Sequence, residues 1–181
     1  MQPTAPGARR PGPAGFTLLE LIVVICLIAV FASFALERLL RYQEIAEKTA
    51  MEANLGAMRS GQGMKAAATL VTGGLQALPK LADENPIDWL ADPPAGYLGA
   101  LSNPPLSAVP KGSWYFDMKN KELVYRPQRT RFLISGADGD DRIRFKVIVK
   151  LTFDAADKGL VRELSELAIR PVVPVRWFPE F

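Results

Sequence analysis

The chain has 181 residues, room for one modest folded domain and a membrane segment but not for two full domains and a linker. Lys and Arg total 22 against 19 Asp and Glu, a formal net charge of +3, which gives no global electrostatic reason to expect nucleic acid as the main partner. Histidine is absent, which removes the commonest general base and zinc ligand. With no phosphate loop, paired cysteine ligands or Ser-His arrangement either, the chain is not expected to be an enzyme.

Apolar residues concentrate near the N-terminus. Residues 1–15 (MQPTAPGARRPGPAG) are rich in Pro, Gly and Ala, carry Arg9 and Arg10 and no acid, and offer no hydrophobic face, so they read as a leader. Residues 16–36 (FTLLELIVVICLIAVFASFAL) are apolar apart from Thr17, Glu20 and Ser33. As a helix they rise roughly 32 Å, the thickness of a bilayer core. The run is longer than the apolar part of a secretory signal peptide, and it continues into a charged helical pattern. Arginines before it and a large polar region after it predict one membrane span, with the N-terminus cytoplasmic and the rest across the membrane. The lone cysteine, Cys26, lies inside this run, so no intrachain disulfide forms and cysteine does not report the redox compartment. Glu20 is the anomaly, because a carboxylate in hydrocarbon needs a partner or access to the headgroups.

The string Gly15-Phe16-Thr17-Leu18-Leu19-Glu20, after a short basic leader and opening an apolar helix, resembles the class III signal of type IV prepilins and type II secretion pseudopilins. The resemblance implies cleavage after Gly15 by a prepilin peptidase in the bacterial inner membrane and N-methylation of the new terminus, Phe16. It further implies that Glu20 attracts the terminal amine of a neighbouring subunit as the filament grows. An amine and a carboxylate entering an apolar filament core together gain more by pairing than they would in water. The implied partners are the peptidase, other pilin or pseudopilin subunits, the inner-membrane assembly platform and membrane lipid. The implied fold is α+β, a long N-terminal helix packed on a small antiparallel sheet. Subunits that form the bulk of a filament often carry a proline near the end of the apolar run, where this sequence has Glu37, and that departure points to a minor subunit. A membrane-anchored tip or binding module that uses a prepilin anchor is the alternative.

Beyond Leu36, residues 37–72 keep a helical period. Leu39, Tyr42, Ala46, Ala50, Ala53, Ala57, Met64 and Val71 recur at spacings of three, four or seven and predict the face laid against the soluble domain. Glu37, Arg38, Arg41, Glu44, Glu47, Lys48, Glu52 and Arg59 fall away from it. Gly73-Gly74 is the expected stop. In residues 73–112, prolines at 79, 86, 93, 94, 104, 105 and 110 exclude a long helix; this reads as a packed connecting region with a short helical turn near Ile87–Leu90, pinned by Trp89 and Tyr97.

Residues 113–181 read as the sheet domain, an antiparallel meander of Ser113–Asp117, a turn over Met118–Lys121, Glu122–Arg126 and Arg131–Ser135. Ile143–Phe153 alternates cleanly, with Ile143, Phe145, Val147, Val149, Leu151 and Phe153 on one face. Residues 160–170 suit a strand or a short helix, and the strand is preferred. The tail, with prolines at 171, 174 and 179, is expected to lie extended along an edge.

Two features carry candidate chemistry. Asp138, Asp140 and Asp141, in a Gly/Asp turn, supply hard oxygens that suit calcium, although the spacing is not that of an EF-hand. A plain turn explains the same residues, and no cofactor is required. Arg144, Lys146 and Lys150 form a basic stripe with aromatic neighbours, which reads as a solvated strand face rather than a nucleic-acid surface.

Overall fold

The computed structural model describes residues 15–134, 141–153 and 161–178. Its chain divides into two compact units, one ending at Tyr42 and one starting at Gln43. One helix, α1 (Leu18–Gly73), contributes to both.

In the first unit every side chain from Phe16 to Leu36 is exposed, all but Phe16 and Thr17 of them on α1. Among the described residues α1 is the one helix long and apolar enough to cross a membrane. The Ser33 hydroxyl donates to the Ala29 carbonyl at 2.9 Å, so this polar group is satisfied within its own helix.

The second unit begins on the remainder of α1. Its buried positions are Glu44, Met51, Leu55, Met58, Gly61, Gln62 and Ala66, a three-four repeat that presents one stripe to the core. This corrects the sequence expectation. Ala46, Ala50, Ala53 and Ala57 are exposed, and Met64 and Val71 are 70% and 88% exposed. The helix has two apolar stripes, and the one with long side chains faces the sheet because Met and Leu remove far more area from water than Ala. Gly61 belongs to that stripe for a steric reason, since a Cβ there would lie 2.7 Å from the Trp89 carbonyl oxygen. The helix ends where expected, with Gly74 at a φ of 67° and its N–H bonded to the Leu70 carbonyl at 3.1 Å.

The segment after α1 forms 3-10 turns at Leu75–Asp83, Pro86–Trp89 and Leu106–Ala108. Trp89 and Tyr97 pack against the core as expected, and the Tyr97 hydroxyl accepts from Asn85 Nδ2 at 2.8 Å. The same segment also holds a strand that the prolines hid, β1 (Tyr97–Leu101).

The main sheet has the order β1-β2-β3-β5-β6, in which β2 (Ser113–Asp117), β3 (Glu122–Arg126), β5 (Ile143–Phe153) and β6 (Val161–Pro171) pair antiparallel with one another in turn. β1 runs parallel to β2. Three strands match their expected bounds, and of residues 160–170 those described, 161–170, are strand, not helix. The predicted Arg131–Ser135 strand does not join the meander. Within its described residues, 131–134, the strand is β4 (Leu133–Ile134), which pairs with β7 (Arg176–Trp177) in a separate two-stranded sheet, while β3 pairs directly with β5; Ser135 lies outside the described residues. The tail is therefore held by a partner strand of its own. Both edges of the main sheet carry register shifts, near Tyr97–Ala100 in β1 and at Lys150/Leu151 in the β5–β6 pair. Such bulges twist an edge away from uncontrolled pairing. The principal core joins Met51, Leu55 and Met58 of α1 to Trp114, Leu123, Tyr125, Phe145, Ile169 and Trp177. The result is α+β: a long helix whose second half packs on a small, mostly antiparallel sheet.

Candidate processing and assembly site

The first turn of α1 is built by its own sequence. Thr17 precedes the helix, and its Oγ1 accepts from the Glu20 backbone N–H at 3.2 Å, while the Leu21 N–H donates to the Thr17 carbonyl at 3.1 Å. Thr17 and Glu20 thus stand at the positions of a capping box. A carboxylate in the first turn is also favoured by the positive end of the helix dipole. The bond to Thr17 comes from the Glu20 backbone, and the carboxylate's contribution to this helix start is its place in the first turn.

Gly15 and Phe16 lie just before this turn, both exposed. A Cβ added at Gly15 would meet nothing within 4 Å, so the fold itself does not require glycine there. Gly15 and Phe16 stand immediately before the first helical turn, which carries Glu20, next to an apolar surface that the described residues leave uncovered.

Residues 10–36 match the family model described as the prokaryotic N-terminal methylation motif. This is the class III prepilin signal, and with the helix-on-sheet architecture it is consistent with the type IV pilin and type II secretion pseudopilin family. No curated protein and no solved structure matches the chain. The motif supports a prepilin-processed protein of pilin or pseudopilin type, a structural rather than enzymatic family. It implies a prepilin peptidase and other pilin subunits as partners, and together with the apolar helix it suggests membrane anchoring.

Of the aspartates considered for calcium, Asp138 and Asp140 lie outside the described residues, and Asp141 stands two residues before β5. In the basic stripe, Lys150 pairs with Glu166 at 2.7 Å, and Arg170 reaches the same carboxylate at 2.7 Å.

Sequence reading placed Glu44 and Glu47 away from the packed face of the helix, whereas the structure turns both toward the sheet domain. Glu44 is 1% exposed, and its Oε1 accepts from Trp177 Nε1 at 2.9 Å and from the Phe132 N–H at 3.0 Å. One turn on, Glu47 accepts from the Tyr125 hydroxyl at 2.9 Å, from the Arg129 N–H at 3.3 Å and from the Gln128 N–H. Burial, then the Glu47 carboxylate, pushes the Tyr125 hydroxyl well above its ordinary pKa. These two acids fasten the loop after β3 and the C-terminal strand to the helix. Their signal in the sequence was spacing: Glu44, Met51, Leu55 and Met58 share a stripe once that stripe is known to be the buried one.

Proposed function

We propose that this protein is a structural subunit of a type IV pilus or a type II secretion pseudopilus. Prepilin peptidase cuts between Gly15 and Phe16, Phe16 is N-methylated, and residues 16–36 hold the subunit in the inner membrane as a single span with a cytoplasmic N-terminus and a periplasmic domain. Assembly then transfers the helix from lipid to a filament core, where Glu20 pairs with the Phe16 amine of an adjacent copy. The observation that carries this reading is the Gly15–Glu20 string at the start of a helix whose apolar surface the protein leaves uncovered. Exposed apolar surface on this scale requires lipid or other helices around it.

Sheared filaments, probed with antibody against this chain, test the proposal. The processed protein is expected in the filament fraction of cells that carry the peptidase and absent from that fraction when the peptidase is deleted. Processed protein that stays in the membrane under filament-forming conditions would leave a membrane-anchored binding module as the better account.

A further inference from the structure

The loop after β3 and the tail strand meet α1 at the start of the second unit. The Gln128 and Arg129 N–H groups bond to Glu47, whereas the Phe132 N–H and the Trp177 indole bond to Glu44, three residues nearer the apolar run. The loop therefore runs toward the end of the unit at which α1 enters it. Residues 127–134 and 172–178 contain three arginines, Arg129, Arg131 and Arg176, and no acid. All three are exposed, and none has a carboxylate within ion-pair distance among the described residues. Glu44 and Glu47 are spent on the donors just named, so the charge this rim shows is positive.

Apolar groups accompany these charges. Ile134, the cross-strand partner of Arg176, is 52% exposed. Phe132 and Phe178 are half-buried and stack with ring centroids 5.5 Å apart, and the Arg131 guanidinium lies 5.7 Å from the Phe132 centroid. Aromatic rings beside arginines suit the boundary between water and lipid. The rim also comes at the right point along the chain. Glu44 follows Leu36 by eight residues on the same helix, a rise of about 12 Å. A headgroup layer and an extended arginine side chain together span about that distance. The residues between add Arg38 and Arg41 against one acid, Glu37.

We propose that this rim, Arg129, Arg131 and Arg176 around Ile134, seats on anionic phospholipid headgroups of the leaflet on the domain's side while the subunit resides in the membrane. Guanidinium groups bind phosphate oxygens in pairs, and each arginine held near an anionic surface strengthens attachment about fivefold. The inference rests on the membrane-anchored reading above and adds a step to it, since entry into a filament must break the contact.

The test uses the full chain with Cys26→Ala and a polarity-sensitive dye attached through Ile134→Cys, in nanodiscs of phosphatidylcholine alone or mixed with phosphatidylglycerol. Blue-shifted emission is expected only with phosphatidylglycerol, and it should fade as salt rises. Arg129→Gln, Arg131→Gln and Arg176→Gln together should lower the docked-to-free ratio on the order of a hundredfold, whereas Lys at the same three positions should keep most of it. A dye attached through Met118→Cys, exposed in the turn at the opposite end of β3, should not respond. The lipid comparison leaves all three arginines in place, so it decides even where a variant fails to fold. Equal emission in the two lipids, or a shift that survives the triple Gln change, overturns the contact and leaves the anchored reading intact. A shift in neutral nanodiscs that requires two copies per disc also overturns it and assigns the rim to a neighbouring subunit. Release of the wild-type chain from cell membranes by alkaline carbonate overturns the anchored reading and this inference with it.

Discussion

From Phe16 to Leu36 the chain leaves Leu18 76%, Phe31 69% and Phe34 66% exposed, whereas from Gln43 onward Met58 and Leu78 are wholly buried and even a carboxylate, Glu44, is closed off from water. Both stretches are rich in apolar residues, so composition alone does not distinguish them. The difference is in partners. The second unit supplies its own: a core of Met, Leu and aromatic side chains, with donors for its buried acids. From Phe16 to Leu36 the first supplies a capped helix start and an internally bonded serine, and the apolar surface of that stretch must be covered by something outside it. Under the proposed function the first unit is read by other molecules and the second mainly by itself, so substitutions should separate cleanly into losses of processing or assembly and losses of stability.

The largest expected effect is at Gly15. Because a side chain there meets nothing in the protein, Gly15→Glu should leave folding and insertion unchanged while abolishing cleavage. Mass spectrometry of membrane-extracted protein should then give the whole chain in place of one beginning at Phe16. Normal processing of this variant would remove the reason for the glycine. Glu20→Leu comes next. It should remain inserted, because a polar penalty is removed from the span, and it should remain cleaved, because the residues flanking the scissile bond are intact. Its recovery in filaments should fall tenfold or more, the loss expected when a desolvated charge pair forfeits one partner. Glu20→Gln sharpens the distinction by keeping an acceptor in the first turn while losing the charge. If Gln assembles like wild type, capping is the role of Glu20; if it fails as Leu does, pairing is.

In the second unit the effects should be thermodynamic and leave processing alone. Glu44→Leu strands the Trp177 indole N–H and the Phe132 N–H in the core, and the cost of such orphaned donors to a charged acceptor is about 3 kcal/mol. Urea unfolding should show this as a lower midpoint with little change in slope. Trp89, Trp114 and Trp177 all belong to this unit, so tryptophan fluorescence of the detergent-solubilised chain reports it without a contribution from the span. A midpoint equal to wild type would mean that water satisfies both donors and that Glu44 does not fasten the tail.

The contrast between the units also accounts for what could be read in advance. The methylation motif was legible because it lies within one short stretch of sequence, residues 10–36, and needs no long-range contact to be recognised. Strands β2, β3 and β5 were legible because alternation or an apolar run between turn residues fixes them locally. The buried face of α1 was not, since an alanine stripe and a Met/Leu stripe run along the same helix, and only the sheet decides which is covered. β1 was hidden among prolines and broken by Gly99 at a φ of 92°, and β4 and β7 are two-residue strands that exist through each other. The Glu44 and Glu47 contacts join residues more than seventy positions apart, a distance over which no periodicity speaks.

The smallest effect is expected at Tyr125. Its hydroxyl donates to Glu47, but Glu47 keeps the Gln128 and Arg129 N–H groups when the phenol is lost, so Tyr125→Phe should cost only about 1 kcal/mol near neutral pH. The pH dependence is the more specific readout. Burial and then Glu47 raise the folded-state pKa of Tyr125 above the ordinary 10.0, so below pH 10 the phenol is protonated in folded and unfolded chains alike and its contribution is fully present. Above pH 10 the unfolded chain releases this proton while the folded chain retains it, and stability falls as pH rises toward the folded value. Tyr97 is also raised, chiefly by burial, and adds a loss of the same sign to both proteins, so the informative quantity is the difference between them. Unfolding midpoints of wild type and Tyr125→Phe should be separated at pH 7 and converge as pH climbs above 10, because only the wild type has this proton to lose. A gap that stays constant through that window would mean that Tyr125 titrates normally in the fold and that its bond to Glu47 contributes little.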